Sequence, residues 1–236
     1  MAITSFDKYT LNARLYPALI VFLPIGFTVA GFFPEKFSGF DFLIAILTTF
    51  GLSFFLENLA RDQGKKKEDS LFRIWGGKPT TLMLCYKDTL IDQVSLSRYH
   101  LKLESLIAGV KLPTAEDEAD NMKIDDTVCE SCTSFLRENT RDQKKFPLIF
   151  AELVNYGFRR NLWAMKPAAL IIVLISICSL GLPVLFGFIQ ARPIIIITLI
   201  MDVFLLVFWM FRINTEWIKV TAFDYAKQLL SACDQL

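Results

Sequence analysis

Histidine is nearly missing from this chain: His100 is the sole example in 236 residues. With no Ser or Cys placed beside a base, local spacing assembles neither a general acid–base pair nor an activated nucleophile, so an enzyme is not expected. Cysteine is sparse and scattered, at Cys85, Cys129, Cys132, Cys178 and Cys233. Only Cys129 and Cys132 have ligand-like spacing, and a zinc site needs two further ligands that no second pair supplies, so ordinary buried thiols are expected rather than a metal. There is no Asn-x-Ser/Thr sequon and no even-numbered cysteine framework of the secreted kind, which points to free thiols in a reducing compartment. A net charge of +1 lacks the basic excess that direct nucleic-acid binding requires. No cofactor is expected. Also absent are a convincing strand, a low-complexity linker, and a small-residue cleavage site behind the first apolar run, which is therefore expected to be retained.

What the chain has in excess is hydrocarbon. Hydrophobic residues make up 53% of it, 22 of them Phe, with a mean hydropathy of +0.42, more than a soluble domain of this size needs. Four stretches are long and apolar enough to cross a bilayer: 15–33, 42–60, 167–189 and 194–211. The links "PEKFSGFD" and "QARP" are so short that the stretches form two antiparallel hairpins with both turns on one side of the membrane. Positive charge sets the direction. Arg61, Lys65, Lys66, Lys67 and Arg73 follow the second stretch, Arg159, Arg160 and Lys166 precede the third, and Arg212 and Lys219 follow the fourth, whereas the turns carry only Lys36 and Arg192. Both termini and the middle of the chain are thereby placed in the cytoplasm of an inner (plasma) membrane, with Trp163, Trp209 and Trp217 near that boundary.

The expected class is an all-α integral membrane protein: residues 1–60 with the first hairpin, 61–166 as a cytoplasmic helical domain, 167–211 as the second hairpin, and 212–236 as a cytoplasmic C-terminal helix. Within the insert, Leu90, Val94, Leu101, Leu106 and Ile107 recur near helical spacing, and Gly109 closes that segment. A second helix is expected after Pro113, with Thr114 as its cap and acids in its first turn. A third should start near Pro147 and run into the third apolar stretch. No Gly or Pro lies between Phe54 and Asp62 or between Leu148 and Tyr156, so the second and third spans should continue as helices into the cytoplasm.

Asp202 sits in the middle of the fourth stretch, where a carboxylate costs roughly 2.5–3.5 kcal/mol on insertion scales. Either it hydrogen-bonds to a hydroxyl of a neighbouring span, with Thr48, Thr49, Ser53, Ser176 and Ser179 as partners in reach, or it lines a water-filled path or oligomer axis and sets ion preference or senses protonation. Glu57 and Asn58 can reach the interface by snorkelling. In "LFRIWGGKPTT", Gly76 and Gly77 expose backbone N–H groups, and Lys78, Thr80 and Thr81 would suit a phosphate-bearing ligand. It is not a Walker A loop, because Phe72 stands where that motif has its first Gly and Pro79 where it has Ser or Thr. The other reading is a helix stop and turn that packs Trp75. Arg159, Arg160 and Trp163 read as a membrane-interface anchor on anionic lipid, or as an arginine gate or docking surface. The acids Glu116, Asp117, Glu118 and Asp120 are a solvated helix face or a dock for a basic partner protein.

Three segments, "ARLYPAL" (13–19), "LFRIWGGKPTT" (71–81) and "ENTRDQKKFPLIFAELVNYGFRRNL" (138–162), together resemble a family of bacterial membrane proteins with four spans. Small proteins of this plan also resemble the membrane subunits and pore-forming effectors of anti-phage defence systems. That resemblance implies a sensor or effector coupling a cytoplasmic cue to permeability; the alternatives are an oligomeric anchor that recruits a soluble effector, and, more distantly, a membrane enzyme. Four short spans enclose little volume, and a midspan acid is better tolerated at a shared interface. A homo-oligomer of three to five copies is therefore expected, with membrane lipids and a soluble cytoplasmic protein as partners.

Overall fold

The computed structural model describes residues 8–33, 52–86, 90–119 and 126–236. Among them there are ten α-helices and no strand: α1 (Tyr16–Phe32), α2 (Leu52–Trp75), α3 (Pro79–Met83), α4 (Gln93–Leu106), α5 (Ala115–Ala119), α6 (Asp126–Asn139), α7 (Pro147–Ala164), α8 (Lys166–Leu185), α9 (Pro193–Val207) and α10 (Thr215–Ser231). Wider π-type turns lead into α1 at Thr10–Leu15 and extend α9 at Phe208–Arg212. Proline opens α3, α7 and α9, where its missing N–H is one the helix start leaves unpaired anyway. The chain forms two compact units, residues 1–68 with 157–217, and residues 69–156 with 218–236; it passes between them inside α2, α7 and α10.

In the first unit α1, α8 and α9 pack on one another. Three helices are long and apolar enough to cross a membrane: Thr10–Phe32 (23 residues), Lys166–Leu185 (20) and Pro193–Arg212 (20). At about 1.5 Å per residue each reaches roughly 30 Å. The expected second span, 42–60, lies partly outside the described residues. Its part from Leu52 onward belongs to α2, a 24-residue helix that continues to Trp75 as the absence of Gly and Pro before Asp62 requires. The expected continuity from Pro147 into the third span is interrupted once: α7 ends at Ala164, Met165 leaves the helix and α8 begins. Pro167 has no N–H to return to Trp163 one turn earlier, so the ladder cannot run unbroken there. The Lys67 ammonium caps the end of α7 by donating to the Ala164 carbonyl at 2.6 Å, and Lys166 donates to the Met210 and Ile213 carbonyls at 3.1 and 2.7 Å where α9 ends. Burial, and then the like charge of Lys66, lower the Lys67 ammonium below the usual lysine range. The hairpin between α8 and α9 turns at Gly187, whose φ of +74° suits glycine alone.

The second unit packs Met83, Leu84, Leu96, Leu103, Cys129, Cys132 and Leu136 against Phe146, Ala226, Leu229, Leu230 and Cys233. Residues 218–236, the greater part of the expected C-terminal helix, belong to this unit and its core. The stripe that drives α4 inward is Leu96, Tyr99, His100 and Leu103, with the spacing of one helix face. Of the residues whose spacing predicts this helix, Val94 and Leu101 lie on the opposite side and are 77% and 69% exposed, while Leu90 precedes the helix and Ile107 follows it. His100 holds two loops at once, with Nε2 2.9 Å from the Leu84 carbonyl oxygen and Nδ1 3.2 Å from that of Pro113. The expected helix after Pro113 is two helices, α5 and α6, separated by residues outside the described set.

Candidate functional site

In the midst of the apolar helices of the first unit a few polar side chains are enclosed while much hydrocarbon faces outward. On α9 the buried positions are Ile195, Thr198, Asp202 and Leu205, one helix face, and on α8 they are Ala169, Val173, Ser176 and Leu180. Asp202 has no solvent exposure at all. Its Oδ2 lies 2.5 Å from the Ser176 hydroxyl, which is also 3.1 Å from the Pro24 carbonyl oxygen and 2.6 Å from the Thr28 hydroxyl; Thr28 in turn reaches the Pro24 carbonyl at 3.0 Å. Asp202 Oδ1 has no hydrogen-bond partner. Of the candidate hydroxyls that the structure describes, Ser176 is bonded to Asp202 and Ser179 instead donates to the Ser176 carbonyl; Thr48, Thr49 and the Ser53 side chain lie outside the described residues. The cluster therefore joins α1, α8 and α9 at one point. Close approach nearby depends on Gly31, where a Cβ would meet Leu180 Cδ2 at 2.8 Å.

A second polar layer lies where α2, α7 and the Thr10–Leu15 turn meet. Arg14 Nη1 donates to Glu57 Oε1 at 2.5 Å, Arg160 Nη1 to Glu68 Oε1 at 2.7 Å, and Asn161 Nδ2 to the Ala13 carbonyl at 2.7 Å. Glu57 is thus a buried partner rather than a snorkelling side chain. Arg160, read as a lipid anchor, is 8% exposed and turned inward to Glu68 and the Asn161 side chain. Arg159 Nη1 donates to the Trp217 carbonyl at 2.7 Å, and its guanidinium lies 4.8 Å from the centre of the Trp217 ring, with Arg212 at 5.1 Å from that ring. Trp163 is half-buried beneath the Lys67 ammonium. Trp209, expected at the boundary, is instead fully buried and its Nε1 has no partner.

The other candidates hold the second unit together. Gly76, with φ +85°, ends α2, and the Gly77 N–H donates to the Phe72 carbonyl at 2.9 Å. Lys78 pairs with Glu130, and Thr80 and Thr81 sit inside α3, their carbonyls accepting from the Leu84 N–H. Lys78 pairs here with a carboxylate, and Trp75 packs edge-on to Phe223, so the helix stops and the chain turns at this segment. Asp117 closes a capping box with Thr114: its Oδ2 accepts from the Thr114 N–H and hydroxyl, both at 2.8 Å, and the Asp117 N–H returns a bond to Thr114 Oγ1. These bonds hold the Asp117 carboxyl below the usual range. Glu116 is exposed; the Glu118 side chain and Asp120 lie outside the described residues. Cys129 and Cys132 are fully enclosed in the core, and no group of three potential metal ligands occurs among the described residues.

Sequence reasoning singled out Asp202 and named Ser176 but missed Pro24, Thr28, Asn161 and Gly64. Pro24 with Thr28 four residues on was the available signal, since a proline inside an apolar helix marks a place where the backbone ladder is broken and a side chain can enter. Compared with known proteins, the chain matches no family model, no curated protein and no solved structure.

Proposed function

We propose that this chain is a multi-pass protein of a bacterial inner membrane, a non-enzymatic sensor or effector that couples a cue received by its second unit to the packing of its apolar helices, and so to permeability. The observation that carries this reading is the reversed polarity of α8 and α9. Ile171, Ile175, Leu185, Ile197, Ile200 and Phe204 are more than half exposed, while Ser176, Thr198 and Asp202 are enclosed. A contiguous exposed hydrocarbon surface of that extent drives association in water and is solvated by lipid chains. The proposal includes a fourth span over 42–60 and both termini in the cytoplasm, on the strength of the charge asymmetry. Bacterial origin and a part in anti-phage defence rest on the resemblance of the three sequence segments. Because Asp202 is enclosed by its own chain, an assembly of three to five copies rests on the small volume that four spans enclose.

A scaffold that recruits a soluble protein is the second reading, favoured by Val94 and Leu101, two turns apart on α4 and both largely exposed. Expression in bacterial cells separates the two. Resistance of the protein to alkaline carbonate extraction, together with entry of an impermeant dye that depends on the second unit, is the expected result for the sensor or effector. Membrane integration without dye entry, and with a soluble protein retained on the membrane by an intact α4 surface, would establish the scaffold instead.

A further inference from the structure

The geometry points to a proton-binding site at Asp202, Ser176 and Thr28 that decides whether α8, while bonded to α9, can hold one hydrogen bond to α1 or two; this rests on the membrane reading above and names a ligand for its central cluster. The cluster has four oxygen–oxygen contacts of hydrogen-bonding length: Asp202 Oδ2 to Ser176 Oγ, Ser176 Oγ to the Pro24 carbonyl, Ser176 Oγ to Thr28 Oγ1, and Thr28 Oγ1 to the Pro24 carbonyl. Each needs a proton between its oxygens, and the two hydroxyls bring only two. With Asp202 ionised, the Ser176 proton is committed to the carboxylate. Ser176 Oγ and the Pro24 carbonyl oxygen then face each other at 3.1 Å with nothing between them. With the acid carrying its proton, Asp202 donates to Ser176 Oγ, the Ser176 hydroxyl is released to the Pro24 carbonyl or to Thr28, and three of the four contacts are filled. The unpartnered Oδ1 agrees, because a carboxylate would need donors on both oxygens and one neutral C=O oxygen is the lesser loss.

Among the described residues, no other charge reaches the cluster to replace the proton. The helices packed here carry as titratable groups only Tyr16 on α1, Lys166 and Cys178 on α8 and Asp202 on α9, with Arg212 on the π-type turn beyond. Tyr16 opens α1, the Lys166 ammonium is occupied by the carbonyls of Met210 and Ile213, and Cys178 and Arg212 are exposed. Among the described residues, a proton on Asp202 is therefore the only ionic event that this interface can register.

The test uses the full chain in lipid nanodiscs. Infrared difference spectra across a pH series should show one protonated-carboxyl C=O band that titrates with single-proton steepness. That band should be absent in Asp202→Asn and shifted in frequency and midpoint in Ser176→Ala. Amide exchange of the α1 peptide, corrected for its intrinsic pH dependence, should rise about five- to tenfold as the band is lost, the loss of about one hydrogen bond, and stay flat in Asp202→Asn. A band that persists at every pH at which the protein stays folded, or α1 exchange that rises equally in Asp202→Asn, overturns the proton site. Neither readout depends on permeability. A titrating band without dye entry in cells would leave this inference standing and remove the effector reading, and dye entry with no titrating band would do the reverse.

Discussion

Asp202 is where the polar cost of the apolar helices is concentrated, and two substitutions separate what its charge does from what its hydrogen bond does. Asn keeps size and hydrogen-bonding reach, so Asp202→Asn should insert and fold at wild-type abundance. Leucine removes the bond to Ser176, and Asp202→Leu should destabilise the first unit by roughly 0.6–2 kcal/mol, less the insertion cost that leucine relieves, in detergent-resolved thermal melts. Equal losses in both variants would mean that the carboxyl itself, rather than its hydrogen-bonding reach, holds α8 to α9. In the second unit the Cys233 thiol is pushed up to about 12, first by burial and then by Asp234 and Cys132. Its folded form thus holds a proton that the unfolded chain sheds at lower pH, so the stabilisation it contributes is complete below the ordinary thiol range and lost as pH rises from there to about 12. Cys233→Ala should flatten that part of the pH–stability curve. Thiol reagents at neutral pH should leave Cys129, Cys132 and Cys233 untouched until the unit unfolds, while Cys85, which is partly exposed, reacts first among the thiols of this unit.

At the scale of elements, α4 is fixed by its N-cap and by one ring. Asp92 Oδ1 accepts from the Ser95 N–H at 2.8 Å, and His100 ties α4 to the carbonyls of Leu84 and Pro113. A neutral imidazole donates through one ring nitrogen only, so His100→Ala leaves one of these carbonyls without its donor and removes the ring that packs between the two loops; it should cost about 1–3 kcal/mol, with loss of amide-exchange protection around 84–86 or 110–113. His100→Gln, whose amide can also donate, should cost less; a silent His100→Ala would show that the loops are held by apolar packing alone. The helices themselves were open to reading from sequence because length, apolar content and proline starts are local properties: α1, α8 and α9 lie where unbroken hydrocarbon placed them, although α8 ends at Leu185 and the second hairpin begins to turn at Gly187, ahead of the "QARP" expected to form it. Which face of a helix is buried is not local. Val94 and Leu101 are more hydrophobic than His100, yet the ring goes inside because two loop carbonyls, distant in sequence, wait for it there. The same holds for Arg160, whose partner Glu68 is 92 residues away and lies on another helix.

For the whole molecule, the proposed topology makes a direct expectation. Protease added to intact bacterial cells should spare residues 61–166, and protease added to inverted membrane vesicles should cut within the second unit; the opposite pattern would reverse the orientation assigned from positive charge. One unforgiving position stands in a strongly polar run. Gly64 lies in "RDQGKKKED", and a methyl group there would stand 1.8 Å from Asn161 Oδ1 and 3.2 Å from Arg160 Nε. Gly64→Ala should therefore cost about 1–3 kcal/mol and dislodge the Asn161 bond to Ala13. In a saturation scan scored by surviving membrane abundance, the charged neighbours Asp62, Lys65 and Lys66 should accept most replacements while position 64 accepts none, a one-residue notch in an otherwise permissive stretch.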